Sequence, residues 1–147
     1  MTASHIRIER LSRGDEVLAR ALFAMMSEVF EEEHDELGDD FVARLLRSDQ
    51  LWVLAATRDG SVVGGLTAHT LPMTRSESHE VFIYDIAVLA SEQRKGIGKQ
   101  LVTQLISMTK LIGVESTFVV ADNEDEHALD FYRALGGVAS PVTMFTL

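Results

Sequence analysis

Three features of this 147-residue chain combine residue types and spacings that can do chemistry. The first is Gln93-Arg94-Lys95-Gly96-Ile97-Gly98-Lys99, a glycine-rich turn that leads into a periodic apolar segment. Unpaired backbone N–H groups at a helix start, beside the positive end of the helix dipole, can hold a phosphate or diphosphate. Glycine lets such a ligand approach the backbone, and Arg94, Lys95 and Lys99 add local positive charge. A plain packing turn would use the same glycines. Neither the Gly-Lys-Ser/Thr pattern nor a third glycine of Gly-x-Gly-x-x-Gly is present. The second feature is Asp85, set in the apolar run Val81–Leu89. A carboxylate there is costly unless it has a partner or a function.

The third feature is acidic. Glu31, Glu32, Glu33, Asp35 and Glu36 form one cluster, and Asp122, Glu124, Asp125 and Glu126 form another. Such clusters attract a polycation when they line a cleft. They serve equally as a solvated face, and helix N-termini favour acids for their own reasons. The absence of Cys excludes thiolate catalysis, disulfides and Cys-based zinc sites. The five His lack metal-binding spacing, so no metal is expected. Trp52 reads as a core residue.

The elements that position these groups form an ordinary globular pattern, with 46% hydrophobic and 24% charged residues. The length fits a single domain spanning residues 1–147. No apolar run reaches the roughly 18 residues of a membrane span, and the N-terminus has no apolar signal region. A cytoplasmic location is the expectation. Thirteen basic against 23 acidic residues give a net charge of -10, which disfavours nucleic acid and anionic membranes as partners.

Alternation predicts a strand over Ile6–Leu11, and helical spacing predicts a helix from Asp15 to Glu33. Phe41, Leu45 and Leu46 predict a short second helix. Leu51–Thr57 and Val62–Leu71 are apolar runs joined at Asp59-Gly60, a pair favoured in type I′ hairpin turns. Val81–Leu89 reads as a central strand, followed by a helix from Ile97 to Ile112 and a buried strand over Thr117–Ala121. Glu126–Leu135 has helical spacing and stops at Gly136-Gly137, and Val142–Leu147 is expected to close the chain as a strand. The order predicts an α/β domain with a mixed sheet flanked by helices.

The string YDIAVLASEQRKGIGKQLVTQL resembles the acetyl-CoA-binding motif of the GNAT acetyltransferase superfamily. The Asn123…Ala128…Phe131-Tyr132…Leu135-Gly136 segment is similar to that superfamily's downstream motif, and the element order matches. Ala90 stands where many members carry Pro. Within the superfamily, FVARLLRSDQLWVLAATRDGSVVGGLTAHTLP, EVFIYDIAV and VVADNEDEHALDFYRALG resemble the type I aminoglycoside 3-N-acetyltransferases, from Phe41 to Gly136.

The resemblance implies a GNAT fold, acetyl-CoA as cofactor, and direct acetyl transfer to the 3-amino group of an aminoglycoside, which gives antibiotic resistance. It implies that a bulge splays the Ile86-Ala87-Val88 strand from its neighbour, so that the pantetheine arm pairs with it. The diphosphate would then lie on Gln93, Arg94, Lys95, Gly96, Ile97, Gly98 and Lys99, with Asn123 nearby. Asp85 becomes the base and Tyr132 the proton donor to the leaving thiolate, with Glu80 a second candidate base. Tyr84, Asp85, Asp122, Glu124, Asp125, Glu33 and Glu36 become the wall facing the polycationic acceptor. Two other readings stay open: the same fold acting on a polyamine, an amino acid or a protein N-terminus, and a non-catalytic CoA-binding regulator. Superfamily members often dimerise, and the apolar Val142–Leu147 could cover a partner, so a homodimer is possible.

Overall fold

The computed structural model describes residues 5–147. Strand β1 (Ile6–Arg10) leads to helices α1 (Glu16–Val29) and α2 (Asp39–Arg47). Strands β2 (Leu51–Arg58), β3 (Ser61–Pro72) and β4 (His79–Val88) follow. A 3₁₀ turn at Ala90–Glu92 then precedes α3 (Ile97–Lys110), β5 (Ser116–Val119) and α4 (Glu126–Ala134). The five strands lie in sequence order, antiparallel from β1 to β4 and parallel between β4 and β5. This is the mixed, helix-flanked α/β sheet expected from the sequence.

Helix α1 ends at Val29, four residues before the predicted Glu33. Phe30 closes it, and Glu31 follows at φ 57°, outside helical space. The β2–β3 turn is the predicted type I′ pair, with Asp59 at φ 52° and Gly60 at φ 82°.

Alternation along each strand divides the core in two. Leu54, Leu66, Ala68, Val81 and Ile83 pack with Ile97, Leu101 and Leu105 of α3 on one face. Val53, Ala55 and Ala87 pack with α1 and α2, through Ala19, Leu22 and Val42, on the other. Trp52 is buried as predicted; its indole N–H donates to Thr70 Oγ1 at 2.7 Å, and the Arg10 guanidinium lies 3.5 Å over its ring. That stacked cation is worth about 0.5–2 kcal/mol.

Two expectations fail. The segment expected to be a buried strand over Thr117–Ala121 is an edge strand, β5, with Phe118 and Val120 exposed. It pairs with β4 on one side only. Val142–Leu147 forms no strand: Val142, Met144, Phe145 and Leu147 are exposed, and residues 138–147 make no backbone hydrogen bond among the described residues. The segment is apolar, but a strand also needs a neighbour.

Gly65 lets α1 lie directly on the sheet. A Cβ there would collide with the Leu22 side chain and come within 2.9 Å of the Leu54 carbonyl oxygen. Gly65→Ala is therefore expected to destabilise the fold by about 1–3 kcal/mol, the usual cost of overpacking. Urea unfolding followed by circular dichroism measures it, and an unchanged midpoint would refute close α1–sheet packing.

Candidate active site

The site is built on β4, which outlasts its neighbour. Pairing with β5 runs from Glu80↔Ser116 to Ile83↔Val119 and stops there, so residues 84–88 have no strand on that side. The Leu89 amide donates to the Val63 carbonyl at 2.9 Å, which makes Leu89 and Val63 a hydrogen-bonded pair of the antiparallel ladder with β3. Such pairs alternate. Ala87↔Gly65 and Asp85↔Thr67 therefore face β3, whereas Ile86 and Val88 turn their N–H and C=O groups toward the open side. The Val88 carbonyl is met there by the Gln93 side-chain amide at 3.1 Å.

One bulge aims Asp85. In the β3–β4 ladder Thr67 pairs with Asp85 and Ala68 with Ile83, leaving Tyr84 as an extra residue. Before the bulge, Val81 and Ile83 face α3; after it, Ile86 and Val88 do, and Ala87 packs toward α1 and α2. Unbroken alternation would have placed Asp85 beside Ile83 in the α3 core. The bulge instead turns it to the opposite face, the usual consequence of such an insertion.

Asp85 is half-buried, and the Thr67 hydroxyl donates to its Oδ2 at 3.2 Å. Desolvation pushes its pKa up, and the nearby negative charge of Glu32 adds to that. The Thr67 hydrogen bond and the field of His69 oppose the shift but do not cancel it. Tyr84 is exposed and meets His69 and Phe82 edge to face, each at 5.8 Å between ring centroids. A cleft of about 330 Å³, lined partly by Phe41, Leu45 and Leu51, opens beside His69.

The turn after β4 is held from both ends. Glu92 accepts from Arg58 at 3.0 Å and from Lys95 at 3.5 Å, and these cations hold its carboxyl below the usual Glu range. Arg94, at φ 64°, and Gly96, at φ 83°, bring the chain round into α3. Gly96 caps α3 without a side-chain hydrogen bond, and the first turn contains no acid. The amides of Ile97, Gly98 and Lys99 therefore have no partner inside the helix. Arg94, Lys95 and Lys99 surround them with exposed cations.

The two glycines have different uses. A Cβ on Gly96 would meet nothing within 4 Å, so its positive φ is what requires glycine. Gly98 is tight because of α4: a Cβ there would sit 3.1 Å from the Phe131 ring. Gly98 therefore seats Phe131, a packing use that the sequence left open beside ligand approach. Tyr132 follows Phe131, their rings 5.1 Å apart, and is half-buried. Burial first, and then the negative charge of Asp125, push its phenol above the usual Tyr value, so it keeps its proton at neutral pH.

Other predicted residues serve the core or local turns, or lie exposed. Ile97 lies in the α3 core, and the Ala87 side chain is buried. Asp125 is the α4 N-cap, accepting from the Ala128 amide at 3.0 Å, and Asp122 accepts from the Glu124 amide at 2.8 Å. Their carboxylates are thus engaged in local turns. Asn123 and Glu124 are exposed beside them, as are Glu33 and Glu36 after α1. Thr67, Glu92 and the particular effect of Glu32 on Asp85 had no sequence signal, because each depends on strand register or loop closure.

The chain matches the model of the Acetyltransferase (GNAT) family over residues 17–136. It is 32% identical over 118 residues to the uncharacterized N-acetyltransferase YvbK of Bacillus subtilis (strain 168), covering 74% of this chain and 72% of that protein. Among solved structures, it superimposes on the aminoglycoside acetyltransferase HMB0005 from an uncultured soil metagenomic sample with a TM-score of 0.93 and 33% identity, covering 97% of each chain. The aminoglycoside acetyltransferase meta-AAC0020, also from an uncultured soil metagenomic sample and solved in complex with sisomicin, gives a TM-score of 0.92 and 34% identity. That match covers 97% of this chain and 95% of the other.

The Asp85 environment makes its own prediction. Thr67→Val removes the hydroxyl that stabilises the ionised form, so the Asp85 pKa should rise further, while Thr67→Ser should restore it. Carboxyl-carbon NMR titration reads this directly, and coincident curves for Thr67→Val and the parent would break the Thr67–Asp85 link.

Proposed function

The chain belongs to the Acetyltransferase (GNAT) family, and on that footing we propose that it acetylates the 3-amino group of an aminoglycoside antibiotic. It is an N-acetyltransferase, and its family uses acetyl-CoA, which supplies an acetyl group already activated as a thioester for direct attack by an amine. The residues present fit that cofactor. The open backbone positions of Ile86 and Val88 suit an extended arm that pairs as a strand would, and the free α3 amides beside Arg94, Lys95 and Lys99 suit its diphosphate.

The observation that carries the reading is the placement of Asp85 at the start of the unpaired β4 stretch, on the face away from α3. A protonated amine cannot attack, so a base must first take its proton. A carboxylate with a raised pKa, held by one neutral hydroxyl, is a better base than an ordinary surface Asp. Tyr132, protonated at neutral pH as an ordinary phenol is, is the proton donor to the leaving thiolate in this reading. No protein nucleophile is required, in keeping with a Cys-free chain.

Charge supports the acceptor class. The net charge is -10, and Glu32 reaches Asp85 electrostatically from the acidic tract after α1. An aminoglycoside carries several ammonium groups, so a negative cleft concentrates it and turns an amine toward Asp85. Two solved relatives at 33–34% identity are aminoglycoside acetyltransferases. The choice of the 3-amine rests on the sequence likeness from Phe41 to Gly136. Acetylating one amine removes a positive charge from the drug, the chemical basis of resistance.

Four outcomes test this. Asp85→Asn should lower kcat by about 10²–10⁴, the usual worth of a positioned base, with acetyl-CoA affinity near normal. A raised carboxyl pKa in the folded state means that the fold binds more protons than the unfolded chain, so Asp85 subtracts stability once pH climbs past its unfolded value. Asp85→Asn should therefore match or exceed the parent in Tm at pH 7, and a loss of both activity and Tm would point to a structural Asp85. In the parent, kcat/KM should rise with pH through a limb above the ordinary Asp range of about 3.9. NMR of the sisomicin product identifies the acetylated nitrogen; a product modified elsewhere than at the 3-amine overturns the regiochemistry.

A further inference from the structure

The cleft beside His69 takes no part in the proton transfers proposed for Asp85 and Tyr132, yet its walls are regular. One wall is a single stripe of α2 and its C-cap: Phe41, Arg44, Leu45 and Ser48 recur at i, i+3, i+4 and i+7. Val42 and Leu46 take the opposite stripe into the core. The floor is Leu51 and His69, which stand directly opposite each other in the β2–β3 ladder. Arg20 fixes the α2 wall to α1. It donates to the Leu37 carbonyl at 2.7 Å and to Asp39, the first residue of α2, at 2.6 Å.

The cleft adjoins Asp85. Thr67, whose hydroxyl reaches Asp85, and His69 are two residues apart on β3 and so share a face of the sheet. At about 3.4 Å per strand residue, they stand about 7 Å apart. The Tyr84 ring meets the His69 ring at 5.8 Å between centroids. The cleft measures about 330 Å³. That lies at the lower end of the roughly 300–1,000 Å³ of small-molecule sites, which suits one sugar ring rather than a whole multi-ring acceptor.

Charge sets the cleft apart from its surroundings. The chain has a net charge of -10 and the tract after α1 is acidic. Among the described residues, however, no Asp or Glu lines this cleft, and Arg44 is its one permanent cation. The Arg44 guanidinium is exposed and makes no hydrogen bond or ion pair with another described residue. Such a group carries N–H donors and no acceptor, so it suits the oxygen of a hydroxyl and repels an ammonium. Phe41 and Leu51 offer apolar surface to the C–H faces of a sugar ring, and Ser48 and Gln50 add uncharged hydrogen-bonding groups. Apolar walls with a few polar groups that fix orientation are the usual make-up of a small-molecule site.

We propose that this cleft receives a second ring of the aminoglycoside through its carbons and hydroxyls, and that Arg44 is a specificity-determining residue that disfavours an ammonium on that ring. The inference rests on the aminoglycoside reading and adds a direction to it. Negative charge at Asp85 and Glu32 attracts the polycation as a whole, whereas Arg44 turns its hydroxyl-bearing side toward α2. With the reacting amine at Asp85, the neighbouring ring falls at the cleft.

Two pairs of drugs test this, each differing by one hydroxyl-for-amine exchange: kanamycin A against kanamycin B at the 2′ carbon, and paromomycin against neomycin at the 6′ carbon. The parent should favour the hydroxyl member of at least one pair in kcat/KM by about threefold to fivefold, the size of one solvent-screened charge contact. Arg44→Gln should bring that ratio close to one, Arg44→Glu should reverse it, and Arg44→Lys should preserve it. The ratio is a readout that a merely structural Arg44 would not move. The Tm of Arg44→Gln and its calorimetric Kd for CoA should match the parent, because Arg44 is exposed and lies outside the cofactor turn. Acetylation with no hydroxyl preference in either pair overturns the subsite and leaves the acceptor reading standing, and so does a preference that survives both Arg44→Gln and Arg44→Glu. If none of the four drugs is acetylated, the acceptor reading falls and the subsite falls with it.

Discussion

The parting of β4 from β5 after Ile83 is the constraint on which the remaining organisation depends. A strand inside a sheet has its backbone groups consumed on both sides, and only an interruption frees them for a ligand. Here the interruption falls where β4 also carries its bulge, so two consequences coincide within a few residues. On the open side the Ile86 backbone groups and the Val88 amide have no strand to pair with, while the carboxylate of Asp85 turns onto the face opposite α3. In the proposed reaction, a cofactor on the open edge and an acceptor at Asp85 would reach one point by different approaches. The turn at Gly96 completes the arrangement: α3 follows β4 after the 3₁₀ turn, and its first amides have no partner inside the helix.

Stability and chemistry pull in opposite directions at this point. The sheet elsewhere is closely packed, with Gly65 in contact range of Leu22 and the Leu54 carbonyl, and with Leu54, Leu66 and Leu101 fully buried. The β4 opening gives up strand pairing, and the half-buried Asp85 ionises against a desolvation penalty. Thr67 limits that penalty with one neutral hydrogen bond; an Arg partner would have held the carboxylate firmly ionised, which would not suit the base proposed above. The Arg58–Glu92 ion pair shows that choice made the other way in the neighbouring loop, where a fixed turn is needed and no proton has to move.

What the sequence made legible follows from the range of the forces involved. The β2–β3 turn could be read from Asp59-Gly60 because a type I′ turn is a local requirement for positive φ at two successive positions. The helices could be read because their apolar spacing repeats over several turns. The bulge at Tyr84 had no local signature: VFIYDIAVL reads as one unbroken apolar run, and the extra residue exists only relative to β3. Thr67 was invisible for the same reason, since its relation to Asp85 is a matter of register. Asp122 and Asp125 illustrate the converse. Their acidity stood out in the sequence, yet each carboxylate caps a nearby backbone amide, a use that composition does not separate from a pocket wall.

The C-terminal segment carries this reasoning one step further. Its composition fits a strand, but strand formation is decided by the availability of an edge rather than by propensity alone. Within a single chain, β5 supplies an edge that stays unpaired and the segment supplies a strand that stays unsatisfied.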